Sequence, residues 1–207
     1  MQLLLRLLEP VPSISAIMNI DSVDIRRIDR TSLRQRVISI PQDVAFLPTG
    51  TTIKQNLDPF GEATDEECVS VLESLHISDY MQSCGGLGGN MDPEKLSMGQ
   101  KHIFVLAIAV VRRRTAQKRG KMAGGILLID ELNSKLDSET DRLIQDVIKT
   151  EFVDYTIIMV SHRLETVRSF CDQVFILEDG QVVESGSPNA LFATYASRFK
   201  KLWNSDI

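Results

Sequence analysis

The chain has 207 residues, 43% of them hydrophobic and 25% charged, with a formal net charge of −5. That length fits one large domain or a core with a subdomain, and the mild acidity excludes a general pull toward nucleic acid or an acidic membrane surface. The cysteines Cys68, Cys84 and Cys171 have neither metal-ligand spacing nor a disulfide pattern, which points to a reducing compartment.

Residues 1–8 are apolar but lack the charged leader and cleavage site of a signal peptide, and read as the second half of a core helix stopped by Pro10 and Pro12. Residues 15–20 alternate loosely as a strand, with Asp21-Ser22 as a turn, and residues 33–36 read as a polar helix or turn. Residues 37–40 form a second β-rich run closed by Pro41-Gln42. From Asp43 to Lys95 the pattern turns helical. Thr64-Asp65-Glu66-Glu67 is a capping box, Val69, Leu72 and Leu75 follow at helical spacing, and residues 85–89 are a glycine-rich break. This predicts a helical subdomain over 43–95, inserted between the parts 1–42 and 96–207 of an α/β core.

Leu96-Ser97-Met98-Gly99-Gln100 opens an apolar run over 103–111, too short to cross a bilayer and suited to a buried helix. Residues 112–121 then read as a basic connector. A solvated loop is the plain expectation, and a docking site for acidic lipid or an acidic partner is the sharper one. Ile126-Leu127-Leu128-Ile129 is a strand buried on both faces that runs into Asp130-Glu131. Residues 138–141 cap a further helix that buries Leu143, Ile144, Val147 and Ile148. Residues 155–160 are β-rich and lead directly to Ser161-His162. Glu178-Asp179-Gly180 marks a hairpin, and residues 188–207 read as helical, with Leu191, Phe192, Tyr195, Phe199 and Trp203 to one side. Strands alternating with helices predict a parallel α/β sheet.

Three apolar strands therefore end in polar residues: Gln42, the pair Asp130-Glu131, and His162. Ligands of such sheets bind beyond the carboxyl ends of the strands. Two adjacent acids after a buried strand carry a desolvation cost that a divalent cation and a water awaiting deprotonation would offset. Asp130 would then hold Mg²⁺ and Glu131 would act as general base. Gln42 would ligate the metal or orient the water, and His162 would hydrogen-bond a terminal phosphate. Ser97 and Gly99, at a helix start, offer a hydroxyl and N–H groups to an anion. Each residue also has a plain alternative: an acidic loop, a loop glutamine, a structural histidine, a simple serine cap.

Together these residues resemble the ATP-binding cassette (ABC) ATPases. Leu96-Ser97-Met98-Gly99-Gln100 looks like the signature motif, and residues 126–131 like the Walker B strand with its catalytic glutamate. Gln42 matches the Q-loop glutamine, His162 the switch histidine, and Ser134-Lys135-Leu136-Asp137 the D-loop. Ser39-Ile40-Pro41-Gln42-Asp43, Gly50-Thr51-Thr52-Ile53 and Asn56-Leu57-Asp58-Pro59-Phe60 are similar to the second cassette of the multidrug-resistance-associated (C) subfamily. The resemblance implies a P-loop NTPase-like core that binds ATP and Mg²⁺ at a head-to-tail interface. Ser97, Gly99, Gln100 and Asp137 would face the ATP held with a partner cassette, and residues 43–95 would face the transmembrane domains of an exporter, at the cytoplasmic face of a membrane. No nucleic acid partner is expected.

The sequence departs from that pattern. It has no Gly-x-x-x-x-Gly-Lys-Ser/Thr loop, the Walker A motif whose N–H groups cradle the phosphates. Leu3-Leu4-Leu5-Arg6-Leu7-Leu8 resembles the end of the helix which that loop opens, so a cassette truncated after Walker A, lacking its N-terminal strands, is expected. Leu132-Asn133 stands where the family usually has Ala-Thr, Lys135 where a small residue is usual, and Met98 where Val or Gly is usual. The isolated chain is accordingly expected to be inactive. The alternative function is a non-catalytic regulatory or remnant cassette that pairs with an intact one through its signature face. A chromosome-maintenance ATPase is disfavoured by the lack of coiled-coil heptads.

Overall fold

The computed structural model describes residues 4–7, 17–118, 120, 124–131 and 137–205. In chain order the elements are β1 (Asn19–Ile20), β2 (Val23–Asp24), α1 (Arg30–Arg36), β3 (Val37–Ile40), α2 (Ile53–Leu57), α3 (Asp65–Ser74), α4 (Ser78–Ser83), α5 (Met98–Lys118), β4 (Gly125–Asp130), α6 (Ser138–Glu151), β5 (Tyr155–Val160), α7 (Leu164–Phe170), β6 (Val174–Glu178), β7 (Gln181–Gly186), α8 (Pro188–Ala193) and α9 (Arg198–Ser205). They fall into two compact units, Met1–Val160 and Ser161–Ile207.

The first unit is built on a parallel sheet of strand order β3-β4-β5. Its centre is β4, where Leu127, Leu128 and Ile129 are fully buried, as a strand covered on both faces requires. Val37 pairs with Ile126 and Ile40 with Ile129, while Asp130 pairs with Val160 of β5. On the sheet face that carries Val37 and Leu128, the β1–β2 hairpin region and α1 supply Ile20, Ile25 and Leu33. Asp21 and Ser22 both have positive φ, the pattern of a type I′ hairpin turn. α5 is the pillar of the unit. It packs against β3, α2, α3 and α6 and buries residues from His102 to Thr115.

Several expectations change. The basic run is not a connector as far as Lys118, because Arg112 to Lys118 are the last turns of α5. Helix propensity favours this, since Arg, Ala, Gln and Lys are all good helix formers. Glu151 of α6 also meets Arg113 at 2.6 Å and Arg114 at 2.5 Å, and Lys118 pairs with Glu67 of α3. Arg112 is half-buried; burial pulls its pKa down, and its guanidinium donates to the Arg34 carbonyl at 2.5 Å. Residues 119 and 121 lie outside the described residues, and Gly120 between them is a turn residue. At the N-terminus the described residues 4–7 form a turn and a bend rather than helix, and the rest of that predicted helix lies outside the described residues. The first strand is shorter than the alternation suggested, pairing only over Asn19–Ile20. β5 alternates half-buried and exposed residues, leaving Ile158 and Val160 exposed.

The second unit contains the predicted hairpin, β6–β7, turned by Asp179 and Gly180 with φ of 48° and 74°. The tail is two helices. They are separated at residues 194–197, which turns Tyr195 outward to 94% exposure. Phe192 and Trp203 meet edge-on with ring centroids 5.2 Å apart, and the Arg168 guanidinium lies 4.0 Å over the Phe192 ring.

Candidate nucleotide site

The sheet brings two of the predicted residues together. Gln42 lies two positions beyond β3 and Glu131 one beyond β4, on neighbouring parallel strands. Their side chains meet: Gln42 Nε2 donates to Glu131 Oε2 at 2.8 Å. Glu131 is also fixed through its backbone, because its N–H donates to the Val160 carbonyl at 2.9 Å and so extends the ladder one step past Asp130. Beyond that bond the backbone turns into the left-handed region, with φ of 46° at Glu131. A glutamate held at positive φ carries strain, and such strain concentrates at functional sites. Asp130, the last residue of β4, is half-buried beside it.

These groups suit a hard divalent cation. The Gln42 nitrogen is the atom turned toward Glu131, which leaves its carbonyl oxygen, with the Asp130 carboxylate, as the oxygen donors for a metal. Mg²⁺ takes one or two such protein oxygens and completes its shell with water and phosphate. Among the described residues no group of three or more His, Cys, Asp and Glu side chains could hold a metal, so a metal here would depend on those outside ligands.

The residues at the start of α5 form a cluster of their own. The Ser97 N–H donates to Gln100 Oε1 at 2.9 Å, and the Gln100 N–H donates to Ser97 Oγ at 3.2 Å. This is a reciprocal capping box. The Ser-x-x-Gln spacing is its sequence signal, and it adds a reciprocal glutamine bond to the plain serine cap. The box engages the acceptors and leaves the Ser97 hydroxyl proton and the Gln100 amide as the groups able to meet an anion. Gly99 lies between them in the first turn, half-buried. His102, one turn on, is buried with its Nδ1 at 2.8 Å from the Met98 carbonyl.

Asp137, and not the expected residues 138–141, caps α6. Its carboxylate accepts from the N–H groups of Glu139 and Thr140 and from the Thr140 hydroxyl, at 3.1, 2.9 and 2.7 Å. The Thr140 N–H and hydroxyl hold this exposed carboxyl below the usual carboxylate range. Ser134, Lys135 and Leu136 lie outside the described residues. His162, exposed, belongs to the second unit, in the short segment that leads into α7.

A family profile described as ABC transporter matches residues 1–117. ABC transporter FGM5 of Gibberella zeae is 48% identical over 201 residues, which is 97% of this chain and 14% of that protein. ABC multidrug transporter B of Aspergillus fumigatus is 33% identical over 205 residues, 99% of this chain and 13% of that protein. The chain thus spans about one seventh of the length of these curated relatives. Among solved structures, a bacterial Atm1-family ABC exporter with ATP bound superimposes with a TM-score of 0.80 at 26% identity, over 99% of this chain and 34% of that one. The chain belongs to the ABC transporter family, and its α/β fold is that of the family's nucleotide-binding domain.

Proposed function

We propose that this domain serves the ATP-binding and ATP-hydrolysing step of an ABC exporter, in the manner of the second cassette of the C subfamily. The observation that carries the reading is the 2.8 Å bond between Gln42 and Glu131. It gathers a candidate metal ligand and a candidate base at the carboxyl edge of the sheet, beside Asp130. Asp130 and the Gln42 carbonyl would hold Mg²⁺, which supplies charge neutralisation at the phosphates. Glu131 would take the proton of the attacking water, and His162 would hydrogen-bond the terminal phosphate. Ser97, Gly99 and Gln100, as the signature motif, would donate to ATP held with a partner cassette, and Asp137 would close the D-loop at that interface. Residues 43–95, as a helical subdomain, would face the transmembrane domains at the cytoplasmic side of the membrane.

The sequence contains no Gly-x-x-x-x-Gly-Lys-Ser/Thr loop, so the phosphate cradle must come from outside these residues. The test is to fuse the chain to the upstream segment of a similar cassette, such as that of FGM5, and measure Mg²⁺-dependent ATP turnover. Turnover that falls on the order of 100-fold or more in Glu131→Gln is expected for loss of a general base. Turnover indifferent to Glu131→Gln would overturn the catalytic assignment and favour a regulatory cassette acting through Ser97.

A further inference from the structure

The loop that carries Gln42 is fastened at its far end by a buried side chain that the chemistry above does not use. Asn56 of α2 is only 4% exposed. Its Oδ1 accepts the Leu47 N–H at 2.8 Å. Its Nδ2 donates to Thr51 Oγ1 and to the Thr52 carbonyl, each at 2.9 Å. A buried amide must have its polar groups paired, and here each partner lies on the loop or at its return into α2. Next to Leu47, Phe46 sets its ring edge-on to Phe104 of α5, with centroids 5.8 Å apart.

The span that holds Gln42 is therefore tied at both ends. At one end Ile40 is fully buried in the sheet. At the other, Phe46 and Leu47 are held by α5 and α2. Fixing both ends of a short span removes most of its conformers, so Gln42 meets Glu131 with little ordering left to do.

We propose that Asn56 is a positioning residue for Gln42: by holding the Leu47 N–H and the Thr51 hydroxyl, it sets the loop so that the Gln42 amide is presented to Glu131. Its catalytic meaning rests on the function proposed above, but its physical content, the Gln42–Glu131 bond, can be read with no nucleotide present.

The experiment is side-chain amide NMR on the whole ¹⁵N-labelled chain without nucleotide or metal. The Gln42 pair is assigned by its loss in Gln42→Met, and Glu131→Ala supplies its position when the acceptor is gone. Asn56→Ala should move the Gln42 pair most of the way to that position. Leu47→Pro, which removes the backbone donor while keeping Asn56, should do the same. The exposed-loop control Phe60→Ala should leave the Gln42 pair in place. A Gln42 pair that stays put in folded Asn56→Ala or Leu47→Pro overturns the proposal. If Asn56→Ala does not fold, Leu47→Pro and Thr51→Val decide. ATP turnover indifferent to Glu131 would remove the catalytic reading and leave this result standing, so the two failures are told apart.

Discussion

Gln42 Nε2 donates to Glu131 Oε2 at 2.8 Å although 89 positions separate the two residues in the chain. The bond exists because β3 and β4 are parallel neighbours and both residues lie just past the carboxyl ends. Gln42 is exposed, so the bond competes with water and contributes little to stability. Gln42→Ala should lower unfolding free energy by no more than about 1 kcal/mol, measured by urea titration. A much larger loss would mean that the contact is structural in the first place.

Glu131 itself sits at a φ of 46°. The left-handed region costs an ordinary L-residue about 1–2 kcal/mol, while asparagine tolerates it better. Glu131→Asn should therefore raise stability, by roughly 0.5–1 kcal/mol, while removing the carboxylate. The urea midpoint of this variant should lie above that of the wild type. An unchanged or lower midpoint would show that contacts of the Glu131 side chain outweigh the backbone strain.

The end of α5 depends on Glu151. Its carboxylate joins Arg113 at 2.6 Å and Arg114 at 2.5 Å, all three side chains being largely shielded from solvent. The Glu151 hydrogen bond in turn pushes the Arg114 pKa up. Removing one partner of such a group strands the others, so Glu151→Ala should cost about 1–3 kcal/mol. Equal stability in wild type and variant would return the Arg113–Arg114 stretch to the solvated loop that its composition suggests.

That stretch shows where the sequence was legible and where it was not. The strand ending in Asp130-Glu131, the capping box at Thr64 and the Asp179-Gly180 turn are local patterns, and local physics settles them. The basic run misleads because its charge density suggests a solvated loop while its residues are good helix formers, and its counter-charges, Glu151 and Glu67, are remote in sequence. For the same reason Gln42 could be placed at the sheet edge by its position after a strand, whereas its partner atom could not. Asn56 was visible only as part of a family-like motif. Its burial and its bond to Leu47 depend on how a loop returns over α2.

The hairpin of the second unit carries an open apolar face. Phe175, Leu177 and Val182 are 60%, 65% and 57% exposed, and Leu177 lies opposite Val182. Exposed apolar strands invite edge pairing and self-association. Replacing all three by threonine keeps β propensity and should raise the concentration at which the chain stays monodisperse by light scattering. Unchanged association would move the sticky surface elsewhere, with exposed Ile158 and Val160 of β5 next to be tried.

Glu184 ties the tail to β7 and makes that contact sensitive to pH. Its carboxylate accepts the Phe199 N–H at 2.9 Å, the Arg198 N–H at 3.0 Å and the Ser197 hydroxyl at 3.3 Å, at the start of α9. Burial pushes its pKa up, but the N–H donors of Phe199 and Arg198 and the Ser197 hydroxyl outweigh it and hold the group below its ordinary value. A carboxyl with a lowered folded-state pKa stabilises at pH values above its unfolded pKa, about 4.3 for a free glutamate. That contribution disappears as pH falls through the lower, folded-state value. Trp203, the single tryptophan, lies in this unit and reports its unfolding by fluorescence. At pH 7 Glu184→Gln should unfold at lower urea than wild type, by about 1 kcal/mol for charge-assisted bonds that are partly screened by solvent. The gap between the two should narrow as pH falls below the unfolded value and through the lower, folded-state one, where the wild-type carboxylate takes up its proton. Glu178, paired with Arg198, is common to both proteins and cancels in the difference. A gap that stays constant from pH 7 to about pH 3 would mean that Glu184 holds α9 by shape rather than by charge.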